Sequence, residues 1–276
     1  MLAASTSVAM VSSDIQLRRT RPETCSLEGP ASPPACRRRQ ISSRRASVAI
    51  PSYRLASRRN GGLAVNNDAA SFIGNIPDHY DSGLGPMVFV DYAADIARRA
   101  AACSPARVLE TAAGTGIVTR QLRDFLPPGV HLTATDLNAP MLEVARTKFR
   151  PGEEVAFQPA DAAALPFSDG TFDAVVCQFG VMFFPQKDTS YREVHRVLAP
   201  GGRYLFSVWD SHRHNPFGRI AHETAASFFP ADPPQFYMVP FSYYQIDPIK
   251  ESLIDAGFTD ISVAVIRLVG PRQPAN

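Results

Sequence analysis

Apolar and polar positions along this chain keep two rhythms, and each change of rhythm marks an element. Short apolar runs recur at Val108-Leu109, within His131 to Thr135, at Val155 to Phe157, at Ala174 to Cys177 and from Arg203 to Trp209. Runs of that length suit buried parallel strands. Between them, apolar residues return every three or four positions, as on one face of a helix. These sets are Ile117, Val118, Leu122 and Phe125; then Met141, Leu142, Val144, Ala145 and Phe149; then Tyr191, Val194 and Leu198. A helix from Tyr92 to Ala101, with Ala93, Ile96, Ala97 and Ala100 on one face, precedes the first strand. Asn138 reads as the cap of the second of these helices, with Pro140 in its first turn. Pro200-Gly201-Gly202 reads as the end of the third. After Trp209 the chain turns irregular and aromatic. A short helix from Asp247, with Ile249, Leu253 and Ile254 apolar and Gly257 as its cap, is followed by a β-branched run from Phe258 to Leu268, read as a strand. Strand and helix in alternation predict an α/β fold around a mostly parallel, doubly wound sheet.

The chemistry concentrates where the first strand gives way to a helix. Glu110 ends the strand, and Ala112, Ala113, Gly114 and Gly116 form a tight turn before Ile117. Glycines without a Cβ let a ligand approach the backbone, and the helix behind offers free N–H groups and a positive dipole end. Twenty residues after Gly116 the next strand ends in Asp136, placed to accept hydrogen bonds from ribose hydroxyls. The pair specifies a nucleoside-containing cofactor. A dinucleotide fingerprint requires a third glycine, where this chain has Thr119.

The run Glu110 to Gly116, E-x-A-x-G-x-G, resembles the first motif of class I S-adenosylmethionine (SAM) methyltransferases, D/E-x-G-x-G-x-G, with Ala112 in place of the first glycine. An alanine is tolerable there if its φ stays negative. The segment from Asp136 through Pro140 and Met141 to Arg146 resembles the second strand-to-helix turn of the same family. The run from Leu165 to Val176 resembles its most specific stretch outside the first motif. The lead-in containing Tyr80-Asp81 is similar to that of the ubiquinone/menaquinone C-methyltransferases and the type 11 methyltransferase domain. The resemblance implies a Rossmann-like sheet and SAM as cofactor. It implies Glu110 at the methionine end, Asp136 at the ribose, and Asp161 with Ala162 at the adenine. Ala112, Gly114, Thr115, Gly116, Leu137, Met141, Gln178 and Tyr80 complete the implied cofactor set, and Tyr80 reads equally as a core or lid aromatic. Met182, Phe183 and Phe184 leave the fourth strand where they could pack a substrate or the adenine, or simply core.

Composition divides the chain. Of 276 residues, 45% are hydrophobic and 20% charged, enough for one domain and an arm. Residues 1–60 hold 11 Arg, 11 Ser and no Lys against 3 acidic residues, whereas residues 61–276 carry 17 basic and 23 acidic residues. No periodicity survives in the arm, so it reads as disordered and dispensable for folding. It is Arg- and Ser-rich like an organellar transit peptide. A translated upstream extension and a nucleic-acid-binding arm are the alternatives. The protein is accordingly expected in an organelle matrix or stroma if the arm is a transit peptide, and in the cytoplasm otherwise. A net-negative body argues against a nucleic-acid footprint. No apolar run reaches the ~18 residues of a membrane helix. The four cysteines form no metal-binding spacing, and Cys177 reads as buried packing.

The expected organisation is the arm at 1–60, a methyltransferase domain at 66–268 and a tail at 269–276. The expected activity is methyl transfer from SAM to a small-molecule acceptor. An NAD(P)-dependent oxidoreductase and a non-catalytic domain binding SAM or S-adenosylhomocysteine are the alternatives. No metal and no catalytic residue is assigned; Asp210, His212, His214, His222 and His79 are the candidate bases, should the acceptor have to lose a proton. The family's sheet closes with an antiparallel seventh strand between the fifth and sixth. After Leu268 only eight residues remain, two of them proline, and proline cannot serve a central strand. The C-terminal strand is therefore expected to be missing, leaving an open edge beside Arg203–Trp209 through which a homodimer could form.

Overall fold

The computed structural model describes residues 9–19, 81, 85, 88–229 and 237–269. In chain order the elements are β1 (Ala9–Arg19), α1 (Val90–Ala102), β2 (Arg107–Thr111), α2 (Ile117–Phe125), β3 (His131–Asp136), α3 (Ala139–Arg146), β4 (Ala156–Pro159), β5 (Phe172–Gln178), a 3-10 turn (Val181–Phe183), α4 (Lys187–Val197), β6 (Leu198–Trp209), α5 (Pro216–Phe228), α6 (Ile246–Asp255) and β7 (Phe258–Val269). The strands form one sheet in the order β4-β3-β2-β5-β6-β1-β7. The pairs from β4 through β6 are all parallel, and β1 runs antiparallel to both β6 and β7.

Both faces of the sheet are covered at its centre, which is why β5 and the second half of β6 are buried almost continuously rather than at alternate positions. Ala174 and Val176 of β5 and Leu205 of β6 point to the side where Ala93, Ile96, Ala97 and Ala100 of α1 meet Val118 and Leu122 of α2. Val175 and Cys177, with Tyr204, Phe206 and Val208, point to the opposite side, among Tyr191, Val194 and Val197 of α4 and Ile249 and Leu253 of α6. Leu142 of α3 packs on Ala134 of β3. A cleft opens where order reverses, at the carboxyl ends of β2 and β5, the topological switch point of an open sheet.

The arm departs from expectation. Residues 9–19 are a strand in the interior of the sheet, in register with β6 from Ser12↔Trp209 to Arg18↔Arg203 and with β7 from Ala9↔Val269 to Arg19↔Phe258. Ile15 and Leu17 are 0% and 1% exposed, and the Arg19 guanidinium donates to the carbonyls of Arg196 and Leu198. The position that a C-terminal strand was expected to leave open is thus filled from the other end of the chain. The open edge beside β6 is not there, and residues 9–19 are paired strand rather than the disordered chain expected. The physical reason is pairing: β6 and β7 each present a full row of backbone N–H and C=O groups that must be satisfied. The rest of the arm and the tail after Val269 lie outside the described residues.

Smaller differences have local causes. Helix α4 ends at Val197 rather than at Pro200-Gly201-Gly202, and Leu198 already pairs with Phe172 before the register jumps to Ala174↔Arg203. Asn138 stands at the start of α3 without a side-chain cap; its N–H instead donates to Asp136. The stretch after Trp209 contains α5, which buries only Gly218, against the Phe241 ring.

Candidate functional site

The loop between β2 and α2 is built on three residues of positive φ: Ala112 at 53°, Gly114 at 56° and Gly116 at 78°. Ala112 was expected to keep a negative φ and does not. An L-residue in this region costs ~1–2 kcal/mol, a strain the surrounding hydrogen bonds hold in place. Ala113 N–H donates to the Thr135 carbonyl at 2.9 Å and Gly116 N–H to the Ala113 carbonyl at 3.0 Å. Gly114 N–H donates to Asp136 Oδ2 at 2.8 Å.

The two glycines serve different purposes. A Cβ on Gly114 would find only the Met141 methyl, 3.7 Å away, so that face of the loop opens on the cleft. A Cβ on Gly116 would stand 2.7 Å from Ala145 Cβ. Gly116 lets α2 approach α3 and does not line the cleft.

A cavity of about 200 Å³ opens at this loop. Glu110, Ala112, Gly114, Thr115, Asp136, Leu137, Met141, Asp161, Ala162 and Gln178 line it, ten of the twelve residues implied by the sequence. Of the other two, Gly116 sits behind the loop and Tyr80 lies outside the described residues. Sequence reasoning did not select Phe89, Phe179, Gly180 or Pro185-Gln186, which also line the cavity. Phe179 has φ 52° and stacks on Trp209 with ring centroids 3.8 Å apart. Its neighbour Gly180 was the available signal: a Cβ there would stand 2.5 Å from Ala112 Cβ. Phe183 and Phe184 line the wall as well.

Charge in the cavity is buried and acidic. Glu110 is 2% exposed, and its Oε2 finds no hydrogen-bond partner among the described residues. Burial, with a further push from the Asp136 carboxylate, raises its carboxyl to about 8, opposed by the nearby Thr119 hydroxyl. That hydroxyl stands close to Glu110 without meeting hydrogen-bond geometry, since Thr119 Oγ1 is itself unpartnered. Burial also pushes Asp136 up, and the N–H groups of Asn138 and Gly114 pull it back; the Asn138 N–H reaches Oδ1 at 2.8 Å. Gln178 Oε1 is a second buried, unpartnered acceptor, while its Nε2 donates to the Phe89 carbonyl at 3.4 Å. Asp161 Oδ1 accepts from Ala163 N–H at 2.8 Å.

None of the described candidate bases lines the cavity. Asp210 holds Ser211 N–H and His214 Nδ1; His212 Nε2 lies 2.9 Å from the Tyr237 carbonyl; His222 lies on α5; His79 is outside the described residues. Among the described residues there is no cluster of three or more metal-ligating side chains, and no helix is long and apolar enough to cross a membrane.

Sheet order, switch-point cleft and glycine loop together define the Rossmann-like α/β fold of the class I methyltransferases. It is shared with phosphoethanolamine N-methyltransferase 2 of Haemonchus contortus, solved with phosphomonomethylethanolamine and S-adenosylhomocysteine, at a TM-score of 0.52 and 20% identity over 67% of this chain and 42% of that one. Residues 108–202 match a family model described as a methyltransferase domain. Demethylmenaquinone methyltransferase of Thermus thermophilus is 41% identical over 118 residues, 42% of this chain and 53% of the relative. The ubiquinone/menaquinone biosynthesis C-methyltransferase UbiE of Pasteurella multocida is 31% identical over 169 residues, 56% and 63% respectively. The chain spans about half the length of the curated relatives it matches.

Proposed function

We propose that this protein is a SAM-dependent methyltransferase whose acceptor is a small molecule, with carbon methylation of a quinone-type ring as the finer reading. One observation carries the cofactor assignment: two buried acceptor atoms, Glu110 Oε2 and Gln178 Oε1, stand unpartnered on residues lining one cavity. Leaving such atoms unpaired is costly, and a cationic, donor-rich ligand end satisfies them. The methionine end of SAM, with its ammonium and sulfonium, is such a group. A dinucleotide is disfavoured because Thr119, at the third glycine position, is fully buried inside α2.

Bound SAM supplies an activated methyl on sulfur. Glu110 would hold the ammonium, Asp136 the ribose hydroxyls and Asp161 the adenine amine, with Leu137, 70% exposed, offering a flat apolar surface. Phe89, Phe183, Phe184 and Pro185 give the cavity an apolar wall suited to a planar, hydrophobic acceptor. Holding nucleophile and methyl collinear in such a pocket contributes ~7–11 kcal/mol. The quinone assignment draws on the names of the UbiE and demethylmenaquinone relatives.

The test is transfer of label from methyl-labelled SAM into a panel of demethylated quinones and a metabolite extract, alongside calorimetry with S-adenosylhomocysteine. Binding with label in a ring carbon supports the full reading. Binding without transfer leaves a SAM-binding domain, and no binding refutes the cofactor.

A further inference from the structure

Far from the glycine loop in sequence, one carboxylate reaches its back. Asp81 Oδ1 accepts from the Thr115 hydroxyl at 2.7 Å, and the same oxygen takes the Lys148 ammonium. Thr115 is 1% exposed and stands between the two left-handed glycines of the loop. Lys148 lies just past α3, its N–H bonded to the Ala145 carbonyl at 3.1 Å, and Ala145 is the residue packed under Gly116. One side chain therefore joins the loop to the end of the helix that buttresses it.

We propose that Asp81 is a positioning residue for the cofactor loop: through the Thr115 hydroxyl and Lys148 it pins residues 114–116 in the conformation that binds the nucleoside cofactor. The inference rests on the functional reading above. Ala112 at positive φ strains the loop, the glycines on either side of Thr115 leave the unbound chain many other conformations, and a loop that relaxes between ligands must be re-formed on each binding event, which weakens apparent affinity. A hydroxyl-to-carboxylate bond is charge-assisted and stronger than a neutral one. Asp81 and Lys148 side chains are 25% and 21% exposed, so solvent screens them only in part. Asp81 does not line the cavity and acts through Thr115.

The test compares Asp81→Ala, Asp81→Asn, Thr115→Val and the Asp81→Ala/Thr115→Val double variant. The readouts are S-adenosylhomocysteine calorimetry and hydrogen exchange of the ligand-free protein, with folding checked by circular dichroism. Asp81→Ala is expected to weaken binding roughly tenfold and to speed exchange at Gly114 to Gly116 while β5 and β6 stay protected. Asp81→Asn keeps an acceptor for the hydroxyl but not the charge that holds Lys148, and recovers part of the loss. The double variant loses less than the sum of the two single losses, because both changes cut the same link. Should Asp81→Ala fail to fold, Asp81→Asn and Thr115→Val carry the comparison. Binding by Asp81→Ala within twofold of the parent, or losses that simply add in the double variant, would overturn the proposal. A parent protein that binds no S-adenosylhomocysteine refutes the functional reading instead. The exchange rates then decide on the clamp alone, and unchanged rates at 114–116 refute it.

Discussion

Glu110 couples the cavity to pH, and replacing it with glutamine exposes the coupling. Burial first, then the Asp136 carboxylate, lifts its carboxyl from 4.5 to about 8. Between those values the folded protein holds a proton that the unfolded chain releases. Stability then falls as pH rises, because the slope follows protons bound unfolded minus protons bound folded, here negative. At ~1.4 kcal/mol per tenfold change in proton affinity, the loss accumulates to on the order of 5 kcal/mol by pH 8 and stops growing above it. Glu110→Gln is neutral at every pH and escapes this penalty. Urea unfolding of both proteins without cofactor, from pH 5 to pH 9, should show the variant gaining on the parent with rising pH and levelling above about 8. With saturating S-adenosylhomocysteine below pH 7, where its ammonium displaces the proton, the parent's slope should flatten. A stability difference constant to within about 1 kcal/mol over the whole range would show that Glu110 titrates normally and refute the argument.

Three further outcomes are expected. Ala112→Gly relieves a side chain held at φ 53° and should stabilise the protein by about 1 kcal/mol, read as a higher denaturation midpoint; a lower midpoint contradicts the strain. Asp136→Ala should weaken S-adenosylhomocysteine roughly 10- to 150-fold with circular dichroism unchanged, and a loss under threefold removes its ribose role. Deleting residues 1–19 strips Ile15 and Leu17 from the core, about 1.5–3 kcal/mol each, and unpairs β6 and β7; a shortened chain melting at the parent temperature would show that β1 is not part of the stable sheet.

Local signals found what is locally determined. A strand-length apolar run, a small-residue turn and a helical period are contiguous in the chain, so the β2–α2 loop and the strand end at Asp136 were legible from residue spacing alone. What the spacing could not separate was purpose. Gly114 and Gly116 look alike in sequence, yet one faces the cleft and the other faces Ala145, a distinction made by the next helix, α3. Ala112 was misjudged for a similar reason: its φ is set by the bonds of Ala113 and Gly114 to β3 and Asp136, which override the preference of an L-residue. α5 escaped notice because a helix that buries only Gly218 needs no apolar stripe, and its Asn215-Pro216 start marks a helix only where an apolar period follows it.

The arm is the deepest case of the same limit. Among its apolar residues, Ile15 and Leu17 sit at alternate positions that face the core, and they are embedded in a Ser- and Arg-rich context typical of unfolded chain. Nothing local distinguishes them from their surroundings. The selecting force lies nearly two hundred residues away, where β6 and β7 stand one strand apart with facing rows of unsatisfied backbone groups. A strand that alternates even weakly, tied at Arg19 to the carbonyls of Arg196 and Leu198, then gains two ladders at once, and two ladders outweigh a poor intrinsic propensity. Residues 9–19 are therefore structured by the vacancy they fill, and their fate on truncation or mutation follows β6 and β7 rather than the arm to which their composition assigns them.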